Sequence, residues 1–258
     1  MNNHLRATLV QPELAWQDPA TNRRTLAAHF RGLFGHTDLI VLPEMFTTGF
    51  TMEAERFAEG MDGPTVGWMR EEAVALGCAI TGSLIIRDGD RCFNRLVWAA
   101  PDGTICHYDK RHLFRMAKEQ EHFAAGAARL VVEYKGWRIC PMICYDLRFP
   151  VWSRNRGDYD VLVYVANWPE RRRIAWRALL QARAVENMAF ALGVNRVGRD
   201  GNGVDYAGDS VGYDFAGNPL NDAHGGDSVE TVVLDMPSLL GYRESFPAHL
   251  DADVFELR

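Results

Sequence analysis

Apolar positions along the chain follow two different periods. Short runs of branched and aromatic residues at 5–11, 38–42, 79–86, 91–100, 104–108, 130–134, 137–143, 161–166, 189–194 and 229–234 read as strands. Between some of them lie segments with helical spacing, at 22–34, 65–76 and 171–187; the last carries Ile174, Leu179, Ala182 and Val185. Strands alternating with helices predict an α/β protein. Two tight connections, at Asp88-Gly89-Asp90 and Lys135-Gly136, predict hairpins, so the sheets are mixed rather than wholly parallel. The polar stretch 109–126 reads as loop with some helix, and 198–226, dense in Gly, Asp and Asn, as turns around a short hairpin.

Composition adds limits. The 258 residues are 47% hydrophobic and 24% charged, which excludes a disordered or fibrous chain and supplies enough apolar surface for a large core. No composition break or linker divides them, so residues 1–258 read as one domain, with 237–258 a carboxy-terminal extension and a candidate dimer contact. The net charge of −6 has no basic block, which argues against nucleic acid and membrane surfaces as partners. No run is apolar enough to span a bilayer, and the first residues lack a secretory pattern. Five scattered cysteines without zinc spacing read as reduced thiols in a cytoplasm. Neither a Walker loop nor a dinucleotide fingerprint is present, so no phosphate-bearing cofactor is expected.

Three polar residues end predicted strands. Asp38-Leu39-Ile40-Val41-Leu42-Pro43 stops at Glu44, His107-Tyr108-Asp109 at Lys110, and Cys140-Pro141-Met142-Ile143 at Cys144. Ligand sites of α/β sheets gather at the carboxyl ends of strands, so the three side chains are candidates for one site. Taken singly, each has a plain structural explanation: a solvated acid, a wet lysine, a thiol filling core. Together they have the chemistry of a nucleophile, a base and a cation that meets developing charge on a carbonyl oxygen. Strand alternation puts Cys140 on the same face as Cys144.

The segments Leu42-Pro43-Glu44, Tyr108-x-Lys110-x-His112-Leu113-Phe114 and Ile143-Cys144-Tyr145-Asp146-Leu147-Arg148-Phe149-Pro150 resemble the three motifs of the nitrilase, or carbon–nitrogen hydrolase, superfamily, in that order. Asn167-Trp168-Pro169 and Ala182-Arg183-Ala184-Val185-Glu186-Asn187 extend the resemblance over nearly the whole chain. It implies a four-layer αββα sandwich, a homodimer or higher assembly, and a site that uses neither metal nor organic cofactor. Carried over residue by residue, Glu44 is the general base, Lys110 the oxyanion-side cation, Cys144 the nucleophile, and the Tyr145 N–H a backbone donor. A second glutamate of the family matches Glu121, by its distance to Gly126, with Glu119 left on the surface.

The wording around Cys144 most resembles the omega-amidase branch, which implies a small linear amide with a carboxylate at its far end, such as 2-oxoglutaramate or 2-oxosuccinamate. Arg148 is the candidate clamp for that carboxylate, against the alternative of bracing Asp146; Arg171, Arg172 and Arg173 are either a second source of cation or a solvated helix start. Phe46, Phe114 and Trp168 are candidates for the pocket wall, against plain core. The competing functions are an N-carbamoyl or other aliphatic amidase, a nitrilase, and a catalytically idle binding member.

Overall fold

The computed structural model describes residues 3–222 and 224–256. Its strands are β1 (His4–Gln11), β2 (Leu39–Val41), β3 (Ala79–Asp88), β4 (Arg91–Ala99), β5 (Ile105–Asp109), β6 (Val132–Tyr134), β7 (Trp137–Ile143), β8 (Val161–Val165), β9 (Phe190–Val194), β10 (Val197–Arg199), β11 (Asp205–Ala207), β12 (Val211–Tyr213) and β13 (Ser228–Asp235). The helices are α1 (Pro19–His29), α2 (Ala54–Phe57), α3 (Pro64–Leu76), α4 (Pro150–Ser153), α5 (Arg173–Asn187) and α6 (Met236–Ser245). The strands form two large mixed sheets, ordered β13-β1-β2-β3-β4-β5 and β12-β9-β8-β7-β6, with β10 and β11 as a separate ribbon.

Period-two alternation explains the layering. In β1, Leu5, Ala7 and Leu9 enter the core shared with the second sheet, and Val10 faces the opposite way; in β4, Leu96 and Trp98 face inward and Val97 and Ala99 outward. The outward residues meet Leu26 and Phe30 at α1 and Val66, Met69 and Ala73 of α3. Both faces of this sheet are therefore buried, which is why its strands read as nearly unbroken apolar runs. On the other side, Trp176, Leu180 and Ala184 of α5 pack on the second sheet. The result is the expected αββα sandwich. Gly77, at φ 66°, ends α3 in the left-handed conformation and lets β3 turn straight back beside β2.

The carboxy-terminal segment departs from a simple extension. Residues 236–245 are helical and bury Leu239 in the main core. Arg243 donates to Asp160 Oδ1 at 2.9 Å and to the carbonyls of Met188 and Tyr159. Because β13 pairs with β1 in the first sheet, α6 carries the chain from one sheet to the other. The helix was not apparent in the sequence because Pro237 and Gly241 weaken the local signal.

Candidate active site

Glu44, Lys110 and Cys144 follow β2, β5 and β7, and the sheets bring all three to one cavity of about 460 Å³. Two of the turns are strained. Cys144 sits at φ 43° and Met45, next to Glu44, at φ 42°, positions that non-glycine residues rarely occupy and that cost about 1–3 kcal/mol each. For Cys144 the effect is to project the thiol off the end of β7 at the start of a one-turn 3₁₀ segment, Cys144–Arg148.

What holds that turn is Asp146. Its Oδ2 accepts from the Ile143 N–H at 3.1 Å and the Tyr108 hydroxyl at 2.8 Å; its Oδ1 accepts from the His112 N–H at 2.9 Å and contacts His112 Nδ1 at 2.8 Å. One fully buried carboxylate thus ties the Cys144 turn to the residues on either side of Lys110. The Tyr108 hydroxyl in turn accepts from Trp152 Nε1 at 2.9 Å, and the His112 ring stacks on Phe149 with centroids 3.9 Å apart. From the helix side, Arg183 Nη2 donates to the Leu147 carbonyl at 2.6 Å.

The ammonium of Lys110 is fully buried between two carboxylates. It donates to Glu44 Oε1 at 2.8 Å and to Glu119 Oε1 and Oε2 at 3.0 and 2.9 Å. Burial works against its charge, but Glu119, Glu44 and the Cys144 sulfur outweigh that and hold it above the usual lysine range. Glu44 Oε2 accepts from the Asn167 backbone N–H at 2.9 Å, and Asn167 Nδ2 donates to the Glu44 carbonyl at 2.6 Å. Burial, then the Glu44 charge and a hydrogen bond to that carboxylate, push the Cys144 thiol well above its ordinary value. The thiol thus sits beside the Glu44 carboxyl, a group with the chemistry to take its proton.

The glutamate that meets Lys110 is Glu119, not Glu121 as expected. Glu119 is completely buried, and besides Lys110 its Oε2 accepts from the Phe114 N–H at 2.6 Å. Burial and Glu44 raise its carboxyl above the usual range, with Lys110 opposing them. Glu121 is exposed and lies 3.8 Å from Lys118. The physical reason is the tight double turn 115–121: Lys118 at φ 57° reverses the chain so that Glu119 points inward and Glu121 outward. Spacing to Gly126 could not register that reversal.

Phe46 also departs from expectation. It packs on the outer side of the first sheet, 6.0 Å from the Trp68 ring, where a Cβ on Gly82 would lie 2.8 Å from its own ring. The positive φ of Met45 sends it away from the cavity. Phe50 takes that place, its ring 5.2 Å from Lys110 Nζ. Phe114, Trp168, Tyr145 and Arg148 do line the cavity. Cys140 is buried in the main core and its thiol is pushed up to about 12 by burial.

Cations gather in the same cavity. Arg148 lies 4.9 Å over the Trp168 ring, and Arg172 lies 5.4 Å over Phe114 with its Nη1 buried and unpartnered; Arg171 also lines the space. Among the described residues none of the three makes an ion pair, and burial together with Arg171 and Arg148 lowers the pKa of Arg172. Asp146, the alternative partner for Arg148, is occupied elsewhere. Arg173 pairs instead with the buried Asp209 and does not line the cavity. Asn94 and Ser83, which complete the polar cluster, were not singled out in the sequence; a polar Asn94 inside an apolar strand was the available signal.

The chain belongs to the carbon–nitrogen hydrolase family, whose model matches residues 6–241. Its relatives include the omega-amidase YafV of Escherichia coli K12, 49% identical over 98% of each chain. A 2-oxoglutaramate amidase of Bacillus subtilis is 29% identical over 94% of this chain and 95% of that one. In structure, the fold superimposes on a CN-hydrolase superfamily protein of Xanthomonas campestris with an arsenic adduct in its active site, at TM-score 0.97 and 51% identity over 99% of both chains.

Proposed function

We propose that the protein is an omega-amidase, releasing ammonia from the terminal amide of a small linear acid such as 2-oxoglutaramate or 2-oxosuccinamate. The observation that carries this reading is a cavity that joins Glu44, Lys110 and Cys144 to the guanidinium groups of Arg148 and Arg172, neither of which makes an ion pair among the described residues. Unpaired cations in a partly dry space favour an anionic ligand, and Arg148 and Arg172 are the bidentate candidates for its carboxylate. Phe114 and Trp168 flank the same groups and supply apolar wall for the methylenes between the two ends.

In this mechanism the Cys144 thiol gives its proton to Glu44 as sulfur bonds to the amide carbon. The carbonyl electron pair moves to oxygen, where Lys110 and the Tyr145 N–H meet the charge. Glu44 passes the proton to nitrogen, the carbon–nitrogen bond breaks, and ammonia leaves a thioester on Cys144. Water then delivers a proton to Glu44 while its oxygen bonds to the acyl carbon, and the proton returns to sulfur as the acid departs. Glu119 holds Lys110 between the two carboxylates throughout.

One hydrolase unit spans the chain in this reading, acting as a homodimer in the cytoplasm. Exposed apolar residues along α5 and α6, Ile174, Val185 and Leu240, support pairing through the helices. The free thiols fit a reducing compartment. Among the described residues, no helix is long and apolar enough to cross a membrane. The test is ammonia release from 2-oxoglutaramate, glutamine, N-carbamoyl acids and simple nitriles, with Cys144→Ala as control. Turnover of the oxo-acid amide above the others is expected; a preference for uncharged amides or nitriles overturns the assignment.

A further inference from the structure

Asn94 lies within β4, fully buried and outside the cavity lining. Its Nδ2 donates to Glu44 Oε1 at 2.8 Å and to Glu119 Oε1 at 3.2 Å. The same two oxygens accept from Lys110 Nζ, so the carboxylates are bridged twice, once by a cation and once by a neutral amide. The amide's direction is set from behind. Ser83 Oγ accepts the Met45 N–H at 2.9 Å and donates its own hydrogen to Asn94 Oδ1 at 2.8 Å. A carboxamide has one donor end and one acceptor end, so fixing Oδ1 on Ser83 leaves only N–H groups for the carboxylates.

Two carboxylates that share one ammonium repel each other, and the ordinary outcome is that one of them keeps a proton. A proton resting on Glu44 blocks its work as a base. We propose that Asn94, oriented by Ser83, is a positioning residue that bridges Glu44 and Glu119 and keeps Glu44 ready to accept the Cys144 proton at neutral pH. The groups that face Glu44 are Lys110 after β5, Glu119 on the 115–121 turn, Cys144 after β7 and, farther off, Tyr206 of β11. Among the described residues, only Asn94 donates to both acids without adding charge.

The inference rests on the proposed roles of Glu44 and Cys144, and its test has one arm that needs no amide. The variants are Asn94→Asp and Ser83→Ala. Asn94→Asp puts a third carboxyl against the pair, so the acidic limb of kcat/KM moves up by about one pH unit or more. KM stays near wild type, because Asn94 does not line the cavity. Ser83→Ala frees the amide and shifts the limb in the same direction by less. The second arm is the pH profile of Cys144 alkylation by iodoacetamide in each variant, where the same displacement is expected.

Lower kcat with both profiles superimposed on wild type overturns the proposal and makes Asn94 purely structural. If Asn94→Asp fails to fold, the Ser83→Ala profile decides alone. Should the wild-type enzyme release no ammonia, the omega-amidase reading falls, while the alkylation profiles still judge Asn94.

Discussion

Replacing Asp146 with alanine removes the acceptor for four donors at once: the Ile143 and His112 N–H groups, the Tyr108 hydroxyl and His112 Nδ1. His112 is a quarter exposed and its ring recovers a partner from water. The Ile143 N–H and the Tyr108 hydroxyl are buried, and the Tyr108 oxygen already accepts from Trp152. At about 1–3 kcal/mol per buried unsatisfied donor, with some relief from water entering the vacated space, the loss comes to about 3–4 kcal/mol. For a chain of this length that lowers Tm by roughly 6–16 °C. Function falls further than stability, because Asp146 also sets the Cys144 turn relative to Lys110, and a displacement of about 1 Å costs roughly 100-fold in rate. Differential scanning calorimetry and single-turnover ammonia release measure the two effects. A variant melting within about 2 °C of wild type with unchanged kcat refutes the idea that this carboxylate holds the site.

Arg148→Ala and Arg172→Ala should each raise KM for an oxo-acid amide by about tenfold or more, the scale of one charged hydrogen bond, while hydrolysis of an uncharged amide is unaffected; equal losses on both substrates rule out carboxylate recognition. Glu119→Gln should lower kcat by about 100-fold and Glu121→Gln leave it unchanged, and steady-state kinetics on the pair decide which glutamate belongs to the site. Burial disfavours ionised Asp38, yet hydrogen bonds from Arg6 and Lys135 outweigh it and hold its carboxyl below the usual range. A depressed folded value means that the stabilisation is complete above the unfolded pKa of about 3.9 and fades as pH falls below it. Urea midpoints for Asp38→Asn should therefore lie below wild type at pH 7 and converge toward it in acid, and a constant gap contradicts this.

The strand pattern and the positions of Glu44, Lys110 and Cys144 were legible because each depends on local order: an apolar run, then a polar residue at its end. The resemblance to known hydrolases supplied the αββα layering, which periodicity alone left open between several α/β arrangements. Glu119 and Phe46 were misread for one reason. Both follow or flank a residue at positive φ, Lys118 and Met45, and no pattern of residue types announced a left-handed lysine or methionine. Asn94 and Ser83 were overlooked because hydrogen bonds between neighbouring strands β3 and β4 depend on register, with Ser83 opposite Leu96. The unpaired arginines became informative only once the structure showed which acids were already engaged.

The position of β1 has a consequence for biosynthesis. It lies between β2, which follows it closely along the chain, and β13, which ends only at Asp235. At ordinary ribosomal speeds one side of that strand waits on the order of 10–40 s for its partner, an interval in which a chaperone or an early neighbour can compete for it. Ribosome-stalled chains from which β13 has not emerged should therefore be the aggregation-prone species, and released full-length chains should not.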